Sequence, residues 1–484
     1  MQEYQRDMDA TIKPTKKRNR ELLVVTYTFV LMFVGVIAYL VHFELVDSKQ
    51  IINNSYNKRA SLLEETIDRG MILGSGGEIL AKTDYDSKGN MFRVYPYGSL
   101  FSHTVGRYEK TKTGLENSMS FTLLTSNING IEKAWNDLNG EKSKGDSIKT
   151  TLDVNLTEVA SDAMGKYKGS IVVMEPSTGR ILTMISKPDY DPNKVSENWE
   201  DIISLKDSDS VLINRATQST YPPGSVFKIV TALAYIRDHA DYNSFSYDCH
   251  GSFATDRKDV ECYKGKKHGE VDLTKAFAKS CNGAFAKMLS ETSYTTFMST
   301  AKQLLFNYSF DKLDIGIKTS KVKYSEQDDL WMTAQTAIGQ GETTTSPMHM
   351  AMIVAAIANG GKLMMPYMVD EVVNANQEIV KTNLPKTYAT LMTSEEAEIL
   401  SDLMDSVVTS GTATSLKNKK YTVAGKTGTA EKTGEVPYVW FVGSSSMNDS
   451  ADIVVSVCIE EGGSSTDVAV PIAKKIFQAY YKNK

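Results

Sequence analysis

Three short motifs in the sequence combine residue types that could carry out acyl transfer. They read Ser225-Val226-Phe227-Lys228, Ser280-Cys281-Asn282 and Lys426-Thr427-Gly428. A serine hydroxyl is a poor nucleophile until a neighbouring base removes its proton. Residues three positions apart on a helix lie on one face, so the amine of Lys228 can reach the hydroxyl of Ser225. We therefore expect Ser225 to be a covalent nucleophile and Lys228 to be its base.

The remaining motif residues could supply the other groups that such a reaction needs. A lysine acts as a base only when burial or a second cation destabilises its ammonium, and Lys426 is a candidate for that cation. The Lys426 ammonium could also attract a substrate carboxylate. The other expected roles are hydrogen bonding of a substrate amide by Asn282, proton relay by Ser280, oxyanion-hole N–H groups at Ser225 and Thr429, substrate contact by Thr427 and Thr429, and space for an extended peptide at Gly428.

Context distinguishes these motifs from chance matches. The same patterns recur at Ser55, Ser299, Ser309 and Ser320 (S-x-x-K), at Ser55, Ser196 and Ser446 (S-x-N), and at Lys112 and Lys432 (K-T-G). Only Ser225 follows Pro-Pro-Gly and opens a long apolar helical pattern, and only Lys426 lies in a strand-like run. The structural alternative makes Ser225 a helix N-cap, Lys228 a solvated lysine, Asn282 a turn residue and Gly428 a bulge. The occurrence of all three motifs in order favours a catalytic site.

An apolar run near the N-terminus predicts a membrane anchor. Residues Leu22 to Phe43 carry no charge, and about 20 helical residues span a bilayer core. The preceding segment contains Lys13, Lys16, Lys17, Arg18 and Arg20. The positive-inside rule then places residues 1–21 in the cytoplasm and exports everything after Phe43. The alternative is a cleaved signal peptide, but signal segments are shorter and no small-x-small cleavage site follows.

The exported part divides into two predicted domains. Residues 44–146 are polar and rich in Gly, Asn and Ser, and they end in the linker-like EKSKGDS, which predicts a small juxtamembrane domain. Residues 147–484 begin and end with strand-like runs that enclose helical patterns. This order predicts an α+β fold with one antiparallel sheet flanked by helices. The net charge of −5 argues against a nucleic-acid partner.

At these residues the sequence resembles the class B penicillin-binding proteins, of the compact type. The stretches YPPGSVFKIVTALA, DLTKAFAKSCNGAFAK, TAIGQGETTTSPMHMA, VAGKTGTAE and YVWFVGS read like family signatures, and IDRGMILGSGGEILAKT resembles the start of the family's pedestal domain. The resemblance implies a five-stranded antiparallel transpeptidase sheet behind a pedestal. It implies a D,D-transpeptidase that acts on stem peptides ending in D-Ala-D-Ala, through an acyl-Ser225 intermediate and without a cofactor for acyl transfer.

The resemblance also implies acylation by β-lactams and a membrane glycosyltransferase of the SEDS family as a partner. A β-lactam sensor or a class D-like β-lactamase shares the motifs, but neither is expected to have a pedestal behind one anchor. A non-catalytic scaffold for a cell-wall polymerase is the third alternative, which the intact motifs disfavour. No counterpart of the deacylating glutamate of class A β-lactamases is evident, so turnover of a β-lactam is expected to be slow.

Three cysteines and a histidine crowd around the second motif. Cys249, Cys262, His268 and Cys281 form a ligand set of the kind that holds structural zinc. Some elongation-type class B proteins carry a zinc beside this motif, so the resemblance supports the same hypothesis. The alternatives are a Cys249–Cys262 disulfide, which an exported protein can form, and unlinked buried thiols.

Overall fold

The structure, a computed structural model, describes residues 16–43, 63–64, 66–206, 209–310, 313, 315–432, 434–448 and 450–482. Residues 1–15 of the predicted cytoplasmic tail and residues 44–62 of the predicted juxtamembrane domain lie outside the described residues. The chain divides into two compact units between Ser61 and Leu62.

The N-terminal unit contains a long helix, α1 (Lys16–His42). Its stretch Arg20–His42 has 23 residues and is long and apolar enough to cross a membrane. At 1.5 Å per residue this stretch is about 34 Å long, which matches a bilayer core. The predicted apolar helix is confirmed, and the described residues contain no second helix of this kind.

The C-terminal unit contains the other helices and strands of the described residues. Its helices are α2 (Gly114–Ser118), α3 (Ser120–Leu123), α4 (Gly130–Asn139), α5 (Val154–Met164), α6 (Trp199–Ser204), α7 (Lys228–Asp238), α8 (Leu273–Lys279), α9 (Asn282–Glu291), α10 (Tyr294–Gln303), α11 (Leu330–Ala337), α12 (Pro347–Ala358), α13 (Ser394–Thr409) and α14 (Ala469–Tyr480). The first strands are β1 (Ile67–Asp68), β2 (Ile72–Leu73), β3 (Ile79–Tyr85), β4 (Met91–Val94), β5 (Ser143–Lys144), β6 (Ser147–Thr150), β7 (Gly169–Met174), β8 (Ile181–Lys187), β9 (Tyr247–Cys249) and β10 (Ser252–Phe253). The others are β11 (Val260–Glu261), β12 (Gly269–Val271), β13 (Lys362–Met364), β14 (Val369–Val373), β15 (Ile379–Thr382), β16 (Thr387–Thr390), β17 (Thr422–Lys432), β18 (Glu435–Ser446) and β19 (Ile453–Ile459).

The larger core is built on a five-stranded sheet with the order β17-β18-β19-β7-β8. All four pairings in it are antiparallel, as predicted. Helices α5 and α14 contact the sheet on strands β8, β18 and β19, and α12 contacts β7, β18 and β19. Every residue of β7 and β19 is buried, which is the pattern of central strands covered on both faces. The sheet leaves β17 as an edge strand.

Local sequence explains where the buried helix α12 begins. The Ser346 side chain accepts a hydrogen bond from the backbone N–H of His349, and Pro347 occupies the first helical position of α12. Both features favour a helix start. Because α12 lies inside the core, its residues from Pro347 to Ile357 are all buried. An apolar surface all round is typical of a helix buried on every side.

A second sheet has six strands in the order β15-β14-β6-β2-β3-β4. It covers a smaller core that includes Ile72, Leu80, Ile148 and Val372. The strands come from both sides of the predicted boundary between residues 146 and 147, because β6 pairs with β2 on one side and with β14 on the other. Two late strands, β14 and β15, therefore complete a sheet that begins in the predicted juxtamembrane domain.

A buried ion cluster stabilises this second region. The Glu116 carboxylate accepts hydrogen bonds from Arg69 Nε at 2.6 Å and from Arg93 Nη2 at 2.7 Å. The Glu116 side chain has no exposed surface. Burial alone raises the pKa of Glu116, but the Arg93 and Arg69 guanidiniums outweigh it and hold that pKa below its ordinary value. Removing one member of such a cluster would leave an uncompensated buried charge.

Candidate active site

Ser225 lies in a short 3₁₀ turn, Gly224–Phe227, that leads directly into α7. The Ser225 side chain is half-buried, whereas Lys228 has no exposed surface. The structural alternative for these two residues is therefore wrong. Ser225 sits inside the turn and makes no N-cap hydrogen bond there, and Lys228 is not solvated.

Close backbone packing holds this turn in place. Gly224 has φ 54°, and its N–H donates to the Gly339 carbonyl at 2.9 Å. A Cβ on Gly224 would lie 2.5 Å from the Thr429 carbonyl oxygen, so only glycine fits. Trp440 Nε1 donates to the Pro222 carbonyl at 3.1 Å. The turn is thus pinned to β17 and β18 before any substrate binds.

The second motif forms the joint between helices α8 and α9. Ser280 ends α8 in a left-handed conformation with φ 55°, and the Cys281 sulfur caps α9 by accepting from the N–H of Ala284. This sharp joint directs the Ser280 and Asn282 side chains toward Lys228.

The hydrogen bonds of the Lys228 amine go to this joint. Lys228 Nζ donates to the Ser280 carbonyl at 2.8 Å, to Ser280 Oγ at 3.2 Å and to Asn282 Oδ1 at 2.7 Å. The Asn282 amide is held at its other end, because Nδ2 donates to the Glu261 carbonyl at 2.7 Å. The structure therefore brings Lys228, Ser280 and Asn282 together, as the sequence predicts, with Ser225 one helical turn before the amine.

The third motif lies on the edge strand β17, where Lys426 pairs with Val442 and Gly428 with Trp440. The Lys426 side chain is fully buried, and its Nζ lies 5.6 Å from the ring centre of Phe277. A Cβ on Gly428 would lie 2.9 Å from Val226 Cγ1. The small size of Gly428 thus allows the Ser225 turn to approach the strand, which differs from the predicted role of leaving space for a peptide.

Burial perturbs both lysines. It lowers the pKa of Lys228 to about 8. Burial, together with the Lys228 ammonium, lowers the pKa of Lys426 well below its ordinary value. Simultaneous protonation of two neighbouring amines that are buried away from solvent is energetically unfavourable. The site therefore disfavours full protonation of the pair, and Lys228 has a substantial neutral fraction near pH 8.

The predicted zinc ligands meet beside the second motif. The sulfurs of Cys249 and Cys262 are 3.7 Å apart, those of Cys262 and Cys281 are 3.8 Å apart, and Cys249 Sγ lies 3.4 Å from His268 Nδ1. All four ligand atoms lie within 4.8 Å of one another. On a tetrahedron with zinc at about 2.3 Å from sulfur and about 2.0 Å from nitrogen, ligand atoms are roughly 3.5–3.8 Å apart. The four residues thus fit a zinc ion, and the cysteines are unpaired thiols rather than a disulfide.

Two of the four predicted ligands, Cys262 and His268, favour the forms that coordinate metal, whereas the hydrogen bond with Cys262 and burial raise the pKa of Cys281. Hydrogen bonds from the Cys281 thiol and from backbone N–H groups at the start of α9 lower the pKa of Cys262 to about 4. Burial lowers the pKa of His268. A thiolate and a neutral imidazole are the forms that coordinate metal.

Several residues contribute to the site although the sequence does not single them out. They are Gly339, which holds the nucleophile turn, Glu261, which holds the Asn282 amide, Trp440, and Thr412, whose hydroxyl contacts that of Thr427. Gly339 and Trp440 lie in stretches that resemble family signatures, but their contacts join distant parts of the chain. Local patterns give no signal for them.

Comparisons with known proteins agree with this arrangement. The family model described as "Penicillin binding protein transpeptidase domain" matches residues 169–478. The peptidoglycan D,D-transpeptidase PbpA of Mycolicibacterium smegmatis is 29% identical over 437 residues, which cover 84% of this chain and 87% of that protein.

Solved structures extend the similarity to the fold. The crystal structure of PBPA from Mycobacterium tuberculosis is 26% identical, with a TM-score of 0.78 and coverage of 86% of this chain and 99% of that one. The imipenem acyl-enzyme complex of penicillin-binding protein A from M. tuberculosis is 27% identical, with a TM-score of 0.79 and coverage of 86% and 99%.

Proposed function

The chain belongs to the penicillin-binding protein transpeptidase family, and we propose that it is a serine-type D,D-transpeptidase that cross-links peptidoglycan stem peptides. One observation carries the assignment of the residues. The Lys228 amine is fully buried, has a lowered pKa, and lies one helical turn from Ser225 while it donates to Ser280 and Asn282. A buried lysine in this state can accept the proton of a serine.

In the proposed acylation, the Ser225 oxygen attacks the carbonyl carbon of the D-Ala-D-Ala bond as Lys228 takes its proton. The N–H groups of Ser225 and Thr429 stabilise the oxyanion. Ser280 passes a proton to the leaving D-alanine amine and takes one in return from Lys228, and the C–N bond breaks to give the acyl-Ser225 ester. The amine of a second stem peptide then attacks that ester and loses a proton to Lys228. The C–O bond to Ser225 breaks as the new amide forms, and the proton from Lys228 restores the Ser225 hydroxyl.

The same acyl transfer explains how β-lactams would inhibit the enzyme. A β-lactam offers a strained amide to Ser225, and its opened ring keeps the leaving nitrogen attached to the acyl group. Penicillin-binding protein A from M. tuberculosis, the relative described above, forms an acyl-enzyme complex with imipenem. We infer that β-lactams acylate Ser225 and inhibit the enzyme.

A labelling experiment tests the nucleophile and the function together. Ser225→Ala should abolish covalent labelling by a fluorescent penicillin and leave the melting temperature nearly unchanged. Ser299→Ala is the matched control, because Ser299 and Lys302 form another S-x-x-K pair, on α10. A penicilloyl adduct on another serine of the wild-type protein would contradict the assignment, and no labelling of wild type would favour a scaffold. Rapid nitrocefin hydrolysis would indicate a β-lactamase.

We propose that α1 anchors the chain in the membrane with residues 1–21 in the cytoplasm. The support is the basic segment before the apolar helix. We also propose a division into a pedestal of residues 44–146 and a transpeptidase domain of residues 147–484, with β6, β14 and β15 of the second domain completing the sheet of the first. Protease added outside intact protoplasts should remove the catalytic domain. Its protection would contradict this orientation.

A SEDS-family glycosyltransferase is our proposed membrane partner, on family resemblance. Co-purification of the full chain in detergent with and without its apolar helix replaced by an unrelated one would test whether the anchor contributes. Retention of no polymerase by the wild-type chain would contradict the partnership.

We further propose that Cys249, Cys262, His268 and Cys281 bind a structural zinc ion. When bound, zinc would cross-link the β9–β12 region to the start of α9 and needs to take no part in acyl transfer. The support is the separation of 3.4–3.8 Å in three pairs of ligand atoms, with all four atoms within 4.8 Å, and the contact between Glu261, next to Cys262, and the Asn282 amide.

Metal content and stability test this proposal. His268→Ala should lose the zinc measured by elemental analysis and lower the melting temperature. His250→Ala, whose side chain is 80% exposed, should do neither. Purified wild-type protein that has no metal and contains a Cys249–Cys262 disulfide would refute the zinc site.

A further inference from the structure

A fourth segment reaches the site without belonging to any of the three motifs. It is the loop Ser410–Ala413, which follows helix α13. Thr412 Oγ1 lies 2.6 Å from Thr427 Oγ1, the hydroxyl of the third motif, and either oxygen can donate. Thr427 is only 4% exposed and Thr412 is half-buried. The two hydroxyls therefore interact where bulk water competes little.

The fold holds this loop in place between the second and third motifs. A Cβ on Gly411 would lie 2.3 Å from the Ala278 carbonyl oxygen, so the loop packs directly on the end of α8. Lys279 Nζ donates to the Ser410 carbonyl. The N–H groups of Gly411 and Ala413 both donate to the Val407 carbonyl. Because Ser280 follows Lys279, this loop is fixed against the segment that carries the second motif.

We propose that Thr412 is a positioning residue that orients the Thr427 hydroxyl toward the carboxylate of the donor peptide or of a β-lactam. The proposal rests on the proposed function and on the expectation from the sequence that Lys426 and Thr427 of the third motif contact the substrate and its carboxylate. Thr412 donates its proton to Thr427 Oγ1, and this leaves the Thr427 proton free for the anion. A hydroxyl that accepts one hydrogen bond becomes a better donor in the next, so the chain strengthens when the carboxylate arrives.

Geometry and chemistry point to Thr412 for this role. Lys426 is fully buried, and its Nζ donates to the Thr427 carbonyl at 3.1 Å. The Lys426 amine is thus bonded to the Thr427 backbone and does not fix the direction of the Thr427 hydroxyl. A threonine hydroxyl rotates about its C–O bond unless a neighbour fixes it. Thr412 is the neighbour that the described structure supplies.

The test compares acylation by a penicillin with acylation by its methyl ester, which lacks the negative charge. Thr412→Val keeps the shape of the side chain and removes the hydroxyl. It should slow acylation by the acid about 2- to 10-fold, the effect of one hydrogen bond, and should slow acylation by the ester much less. Thr412→Ser should restore the acid rate. Thr409→Val is the control, because the exposed Thr409 hydroxyl bonds only its own helix, at Asp405 O.

The possible outcomes distinguish a failure of the Thr412 proposal from a failure of the proposed function. Equal slowing of acid and ester by Thr412→Val would mean a purely structural role and would overturn the proposal. An unchanged acid rate would overturn it as well. A wild-type enzyme that does not prefer the acid over the ester would overturn the carboxylate role of Thr427 and with it the proposal. A wild-type enzyme that fails to label at Ser225 would instead contradict the proposed function. Melting temperatures of the three variants show whether each remains folded.

Discussion

Gly428→Ala tests whether the approach of the Ser225 turn to the edge strand sets the rate of acylation. In the native structure a Cβ at this position would lie 2.9 Å from Val226 Cγ1, 3.0 Å from the Pro223 carbonyl oxygen and 3.2 Å from Trp440 Cβ. Favourable carbon–carbon contacts lie at about 3.5–4.0 Å. The added methyl group must therefore push the turn and the strand apart by roughly 0.5–1 Å.

The cost divides between stability and rate. Val226 is fully buried and cannot move into open space, so the overpacking should reduce the free energy of unfolding by about 1–3 kcal/mol. The displacement also moves Ser225 relative to the donor N–H of Thr429. A shift of this size in a reacting group can reduce the rate by up to about 100-fold. We expect slower labelling by fluorescent penicillin at saturation, with protein that remains folded in thermal unfolding.

Two further variants make the prediction specific. Gly316→Ala should change neither quantity, because Gly316 is exposed and a Cβ there meets only Gln218 Nε2, at 3.4 Å. Val226→Ala in the Gly428→Ala background removes the nearest obstructing atom and should recover part of the rate, in a double-mutant cycle. If the Gly428→Ala variant is acylated at the wild-type rate with unchanged stability, the contact between Gly428 and the Ser225 turn does not set the rate.

The remaining predictions concern charge. Because burial lowers the pKa of Lys228 to about 8, its neutral form grows as pH rises through that value, so the acylation rate should rise with pH and then level off. A pH-independent rate would contradict Lys228 as the base. Asn282→Asp would place a carboxylate against the amine now 2.7 Å from Oδ1, raise the pKa of Lys228, and move this profile to higher pH. Glu116→Gln should reduce the free energy of unfolding, measured in urea, by about 3–5 kcal/mol because it leaves buried arginines unpaired. A loss of unfolding free energy no larger than that of the control Glu141→Gln, at an exposed position, would contradict the prediction for Glu116→Gln.

The elements that carry the motifs could be predicted from local sequence. Pro222, Pro223 and Gly224 mark the start of the nucleophile helix, and the apolar run that follows has helical character. The strand around Lys426 was also predictable, since β17 covers Thr422–Lys432. The four zinc ligands could be selected because their residue types are rare and cluster in one stretch. Type and local spacing were sufficient in these cases.

Contacts between distant segments could not be predicted in the same way. The left-handed Ser280 joint gives no periodic signal, although a non-glycine residue with positive φ decides where the Ser280 and Asn282 side chains point. The Thr412–Thr427 pair and the Gly224–Gly339 contact join residues that tertiary packing alone brings together. The membership of residues 369–382 in the second sheet likewise could not be predicted. A strand pattern shows which face is buried, but it does not name the strand that will be its partner.

The six-stranded sheet constrains the order in which an exported chain can mature. In the proposed membrane orientation, translocation delivers the N-terminal strands first, so β6 emerges with one edge lacking its partner until β14 has crossed the membrane. An open strand edge beside apolar residues such as Ile148 is a site for mispairing. The interval between the arrival of β6 and that of β14 is therefore the stage at which the nascent domain is most prone to mispair. A chain that ended before Val369 would keep this edge of β6 permanently unpaired and open to other strands.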